Sequence, residues 1–157
     1  MSCLCSSVLA SSQRTALVNR VVLVAGKFDP VHEGHLEHII EASKLGGYLI
    51  VVTHRDEVVA RVSKKGKCAV PLWARRAILR GLLMYFNIKG AVAISVDDDG
   101  TVAKTLEKHH PDIFAKGGDR KDDSCMPTNE LEVCTRLGIQ IVYGVGRLLN
   151  SSSEIEQ

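Results

Sequence analysis

Three of the six histidines, His32, His35 and His38, fall within seven residues of the stretch GKFDPVHEGHLEH, which runs from Gly26 to His38 directly after an apolar run. Imidazoles this close together can bind a metal, fill a core or donate to an anion. A zinc-protease HExxH pair sets its histidines four apart on one helical face with a glutamate between them. Here His32 and His35 are three apart, and His32 precedes the helix. His38, a full turn past His35, fits a helix surface equally well. The anion reading uses more of the stretch at once. A helix beginning near Glu33 or Gly34 turns its unsatisfied backbone N–H groups and the positive end of its dipole toward the loop. Gly34 has no side chain to hold a ligand away, His32 and His35 add imidazole donors at the same point, and Asp29-Pro30 sharpens the turn that delivers them.

Other charged groups carry a bland and a chemical reading. Lys64, Lys65 and Lys67 surround Gly66 in a loop that is either a solvated surface or a phosphate clamp. Arg75, near the start of a helix, opposes the dipole by about 0.3–1 kcal/mol, a cost that a polyphosphate beside it would reverse. Arg76 and Arg80 read as surface charges, and Trp73 as packing or a stacking wall. Asp97-Asp98-Asp99 could be drawn as a magnesium site, but three acids before Gly100-Thr101 and a helical segment are better explained as a loop and cap. Ser151, Ser152 and Ser153 precede Glu154 and Ile155, a cap and first turn able to hold phosphate, or else a frayed tail.

The elements that must position these groups alternate. Short β-branched runs begin at Val21, Tyr48, Ala91, Asp112 and Ile139, separated by segments with helical spacing. Strands apolar on both sides belong in a parallel sheet covered on both faces. Helices are expected from Gly34 to Lys44, Asp56 to Val62, Pro71 to Phe86, Thr101 to His109 and Pro127 to Leu137. Pro71 suits a first helical position, and Leu72, Leu79, Leu83 and Phe86 form that helix's core stripe. Gly46-Gly47 and Gly138 mark helix ends. The expectation is an α/β fold, a single Rossmann-like doubly wound domain of about five parallel strands, with its ligand beyond the carboxyl ends of the strands.

Composition narrows the function classes. The 157 residues suit one core, a net charge of +2 is too mild for a nucleic-acid binder, and no apolar run approaches the roughly 20 residues that span a bilayer. Five cysteines, Cys3, Cys5, Cys68, Cys125 and Cys134, are odd in number and form no CxxC pair, so they read as reduced thiols in a cytoplasmic compartment. Residues 1–20 contain five serines, two arginines and no acid. They form a flexible leader, or a transit segment for organelle import, ahead of a domain spanning 21–157.

The stretch AGKFDPVHEGH resembles the GxFDxxHxGH signature of the nucleotidylyltransferase superfamily, the cytidylyltransferase-like fold, and the likeness extends from about Val21 to the end of the chain. The segment from Thr53 to Arg76 and the stretch KGGDR are similar to the heptose-phosphate adenylyltransferase and glycerol-phosphate cytidylyltransferase branch, and SSSEI to its terminal Ser/Thr-rich motif. The resemblance implies transfer of a nucleotidyl group from ATP or CTP to a phosphorylated acceptor, a sugar or polyol phosphate, with release of pyrophosphate and with magnesium carried by the nucleotide. It implies that His32, His35, Lys65 and Arg75 act in catalysis. Gly26, Lys27, Phe28, Asp29, Gly34, Lys116, Gly117, Gly118, Asp119, Ser151, Ser152 and Ser153 would bind nucleotide, and no protein metal site is implied. Lys27 departs from the small residue or Thr common at its position and adds a cation beside the acceptor, which His54, after a strand end, could also touch. A homodimer is reasonable by the same resemblance, while nucleic-acid and membrane partners are not expected. The alternatives are a catalytically silent nucleotide-binding regulator and an adenylyltransferase for nicotinamide mononucleotide, flavin mononucleotide or phosphopantetheine. A class I aminoacyl-tRNA synthetase fragment would need a KMSKS-type loop that the sequence lacks.

Overall fold

A computed structural model describes residues 16–146. Five strands, β1 Val21–Gly26, β2 Tyr48–Thr53, β3 Gly90–Ile94, β4 Ile113–Gly117 and β5 Gln140–Val145, form one sheet in the order β3-β2-β1-β4-β5. Every neighbouring pair is parallel. The helices are α1 Glu33–Ser43, α2 Asp56–Val62, α3 Leu72–Tyr85, α4 Ala103–His109 and α5 Thr128–Leu137. The α/β class and the five parallel strands are as expected from the sequence.

Consecutive strand side chains point to opposite faces, and here both faces are covered. Val22 and Val24 of β1 join Leu49 and Val51 of β2, Ile39 and Ala42 of α1, and Leu79 and Leu83 of α3 in one core. Leu23 of β1 joins Ile50, Val52 and Phe114, with Leu106 of α4 and Val133 and Cys134 of α5, in the other. This is why the strands read as unbroken apolar runs.

The direction in which successive connections move along the sheet reverses at β1. From β1 the connections step outward through β2 to β3, then cross back to β4 and step the other way to β5. The crevice between the carboxyl ends of β1 and β4 is therefore the switch point at which a doubly wound sheet takes its ligand. The loop after β1 carries the histidine stretch, and the loop after β4 carries Gly117-Gly118-Asp119.

Several local expectations are corrected. Phe86 is exposed and leaves the α3 core stripe, which Arg75 instead joins alongside Leu79 and Leu83. Trp73 is 74% exposed and packs no core. Pro71 sits at the cap of α3, one position before the helix proper. Gly46 and Gly47 do not end α1, whose last turn closes on Lys44 in right-handed conformation. They are glycines because the segment before β1 crosses them: a Cβ on Gly47 would lie 1.8 Å from the Val18 carbonyl oxygen, and one on Gly46 2.6 Å from that of Arg20. Gly138, at φ 68, does end α5 in the left-handed region.

The acidic run behaves as a loop and cap. The Asp97 carboxylate is buried and accepts from the backbone N–H groups of Lys104 and Thr105 at the start of α4 and from the Thr105 hydroxyl. Asp99 accepts from the backbone and hydroxyl of Thr101, which delays the helix to Ala103, and Asp98 pairs with Arg55. Among the described residues no group of three or more His, Cys, Asp or Glu side chains converges as metal ligands would. Nor is any described helix long and apolar enough to cross a membrane. Cys68, Cys125 and Cys134 are free thiols.

Candidate active site

The loop from β1 to α1 is organised by its own side chains. Phe28, at φ 53, is buried and turns its ring back beneath Gly26, where a Cβ would come within 3.2 Å of it. The same ring meets His35 edge-on at 4.9 Å. Phe28 is thus the floor on which His35 rests.

His32 is the N-cap of α1: its Nδ1 accepts from the Gly34 N–H at 3.1 Å, while the His35 Nδ1 accepts from the His32 N–H at 3.4 Å. Two histidines therefore make the reciprocal capping box that Ser/Thr and Glu/Gln usually make. The Gly34 N–H is consequently engaged by His32, not left open for an anion. The imidazoles themselves become the donors. A neutral ring whose Nδ1 accepts carries its proton on Nε2, so His32 and His35 each hold one N–H on the ring atom away from the helix cap. The rings stack at 3.8 Å, an arrangement that two imidazolium cations would resist.

Burial keeps them neutral. It pushes the His35 pKa down to about 3, with His32, His38 and Lys27 adding smaller repulsions, and it lowers His32 as well, against the attraction of Glu33. His38 is also lowered by burial, and its ring is turned the other way. Its Nδ1–H donates to the Val145 carbonyl at 2.7 Å, which holds the end of β5 against α1. A Cβ on Gly146 would lie 3.0 Å from the His38 Cα, so the chain leaves the sheet across this helix.

Asp29 faces the basic loop. Its carboxylate accepts from the backbone N–H groups of Ala69 and Val70 at 2.9 and 2.6 Å, fastening the segment that carries Lys64, Lys65 and Lys67 to the histidine loop. These lysines are exposed, as is Lys27. Expected as a nucleotide ligand, Asp29 is here engaged with the backbone at the end of the basic loop.

Arg75 holds the arrangement from behind. It is 0% exposed, and all five of its N–H donors are spent: Nε on the Val70 carbonyl, Nη1 on the Lys27 carbonyl and Thr53 Oγ1, Nη2 on the His54 carbonyl and Asp56 Oδ1. It ties the ends of β1 and β2, the start of α2 and the far end of the basic loop to α3. In this arrangement the guanidinium holds five protein acceptors in place.

Across the crevice, Gly117 and Gly118 are half-buried and Asp119 is exposed beside Arg120. Lys116 turns away from this loop. Its Nζ lies 3.3 Å from the buried Glu130 carboxylate and over the Phe114 ring. Ser151, Ser152 and Ser153 lie outside the described residues. Thr53, Asp56 and Glu130 escaped the sequence reading, since nothing in their local pattern signals partners 14 to 28 residues away.

Residues 23–153 match the family model described as Cytidylyltransferase-like. Over 105 residues the chain is 36% identical to the Bifunctional protein HldE of Vibrio vulnificus, covering 66% of this chain and 21% of that protein. Over 112 residues it is 32% identical to the protein of the same name from Haemophilus ducreyi, covering 71% and 22%. The chain thus spans about a fifth of the length of these curated relatives. The crystal structure of the lipopolysaccharide core biosynthesis protein from Thermoplasma volcanium is similar with a TM-score of 0.58 at 28% identity, covering 81% of this chain and 97% of that one. These matches bear out the resemblance drawn from the histidine motif and its heptose-phosphate adenylyltransferase branch.

Two outcomes are expected. Arg75→Lys keeps the charge but not the fork, so buried acceptors lose their donors at about 1–3 kcal/mol each, read as a lower urea midpoint. An unchanged midpoint with a raised KM for nucleotide would instead make Arg75 a phosphate ligand. The second concerns acid. The unfolded chain protonates His35 as pH falls through the ordinary value of 6.5, the folded chain only near 3, so between them the unfolded state binds more protons and stability declines as pH falls. His35→Gln should flatten that decline; an unaltered pH profile would show that His35 is not depressed.

Proposed function

Because the chain belongs to the cytidylyltransferase-like family, we propose that it is a nucleotidyltransferase that moves an NMP group from ATP or CTP to a phosphorylated small-molecule acceptor, a sugar or polyol phosphate. An anionic oxygen of the acceptor phosphate attacks the α-phosphorus in line, the bond to the β-phosphate oxygen breaks, and pyrophosphate leaves with its electron pair. The nucleophile is already deprotonated, so no general base is required. The task left to the protein is positioning and neutralising spread charge.

The observation that carries this reading is the pair of neutral, stacked imidazoles whose Nδ1 atoms are committed to the α1 cap. Their Nε2–H groups are preorganised donors for the oxygens of the α-phosphate, where charge redistributes as the bonds exchange. Lys65 and its neighbours neutralise the β- and γ-phosphates, Lys27 the acceptor phosphate, and the Gly117-Gly118 backbone with Asp119 the nucleoside. Magnesium that arrives on the nucleotide needs few protein ligands, since phosphates and water supply the rest.

The test follows pyrophosphate with each NTP against a panel of phosphorylated acceptors. ATP is expected to be preferred and CTP to follow, with a sugar or polyol phosphate as acceptor. If both nucleotides bind but release no pyrophosphate with sugar, polyol, nicotinamide-mononucleotide, flavin-mononucleotide or pantetheine phosphates, the protein is a nucleotide-binding regulator. His35→Gln keeps an acceptor at the N3 position of the cap and should lower kcat by ~10²–10³ while nucleotide affinity stays close to wild type. A kcat within twofold of wild type would remove His35 from the chemistry.

A further inference from the structure

The third histidine of the opening motif takes no part in the chemistry proposed above, and its contacts lead to the other side of the crevice. His38 lies on α1 about one turn past His35. Its Nδ1–H donates to the Val145 carbonyl at 2.7 Å, at the end of β5. Val145 is in turn the residue that pairs with Gly117 across the ladder between β4 and β5. Beyond burial and this hydrogen bond, the charges that the His38 ring feels are Lys116 and Asp119, one on each side of Gly117-Gly118.

The turn after β4 depends on β5. The Arg120 N–H closes the turn on the Gly117 carbonyl at 3.0 Å, and the Arg120 carbonyl accepts from the Gly144 N–H at 3.0 Å. The turn is thus attached at both ends to consecutive residues of β5, Gly144 and Val145. That strand lies at the edge of the sheet, with β4 as its neighbour. Their register shifts between Ala115 and Gly117, so the ladder is locally disrupted where the turn begins. His38 holds the end of β5 from outside the ladder. Close backbone packing reinforces the hold, since a Cβ on Gly146 would lie 3.0 Å from the His38 Cα.

We infer that His38 is a positioning residue for nucleotide binding: by holding the Val145 carbonyl it fixes the turn 117–120 at a set distance from the imidazoles of His32 and His35, which cap the same helix. The inference rests on the reading of the Gly117-Gly118 backbone with Asp119 as the nucleoside subsite. One helix then carries both the donors for the α-phosphate and the hold on the nucleoside turn, and the span between the two subsites has to match the span from nucleoside to α-phosphate. A nucleoside contact is remote from the exchanging bonds and is made equally in the ground and transition states. Its loss raises KM and leaves kcat.

Calorimetric affinities for ATP, CTP and inorganic triphosphate, each with magnesium, separate the two subsites, and pyrophosphate release gives kcat and KM. His38→Leu keeps the bulk and removes the N–H, which leaves the Val145 carbonyl without that donor. It is expected to weaken binding of both nucleotides ~10-fold, while triphosphate affinity and kcat stay close to wild type. His38→Asn places an amide N–H near the position of the imidazole Nδ1 and should restore most of the nucleotide affinity. Nucleotide affinity unchanged by His38→Leu overturns the inference, as does an equal loss for triphosphate, the mark of a general structural role, or a fall in kcat at unchanged KM. A wild-type protein that binds the nucleotides no more tightly than triphosphate overturns the nucleoside subsite and the inference with it. Where no pyrophosphate is released, the calorimetric contrast decides the inference on its own and only the transferase reading falls.

Discussion

The guanidinium of Arg75 is the interaction on which the candidate site depends. A buried arginine is tolerable when every donor is matched, because an unpaired buried charge costs far more than its hydrogen bonds return. Here five donors meet five acceptors, drawn from β1, β2, α2 and the segment before α3. Those pieces come from three separate stretches of the chain, at Lys27, at Thr53 to Asp56 and at Val70. The residue thus converts separately folded βα units into a rim of fixed shape, and it does so from inside the apolar stripe that anchors α3 to the sheet.

Asp29 completes the same construction from the other side. Val70 gives its carbonyl to Arg75 and its N–H to Asp29, so one backbone unit is held at both ends. The lysines just before it remain exposed while their loop is anchored. Neutral donors whose dipoles are already oriented suit a polyanion whose charge moves during reaction.

The histidines show how one set of atoms serves folding and chemistry. Each Nδ1 satisfies an N–H that the first turn of α1 would otherwise leave unpaired, and that choice decides which ring nitrogen keeps the proton. Phe28 and the stacked rings remove enough water to hold His35 neutral. His38, on the same helix, adopts the opposite tautomer because its Nδ1 faces a carbonyl, and its work is to bind β5 to α1.

The sequence by itself determined the layer architecture and the place of the site. Hydrophobic periodicity is a local property, and two-sided burial leaves continuous apolar runs that locate the strands to within a residue or two. The histidine motif, lying directly after the first of those runs, falls at the carboxyl edge by chain order alone. What each polar group does there was decided by tertiary structure. Arg75, Asp29 and Lys116 look alike as candidate ligands, because a charged residue in a motif has the same letter whether it faces phosphate or protein. Their partners, Thr53 and His54, Ala69 and Val70, and Glu130, stand 14 to 41 residues away, and only the folded sheet brings them within hydrogen-bonding reach. Burial of Arg75, and with it the engagement of all five of its donors, is likewise a product of packing that no local pattern records.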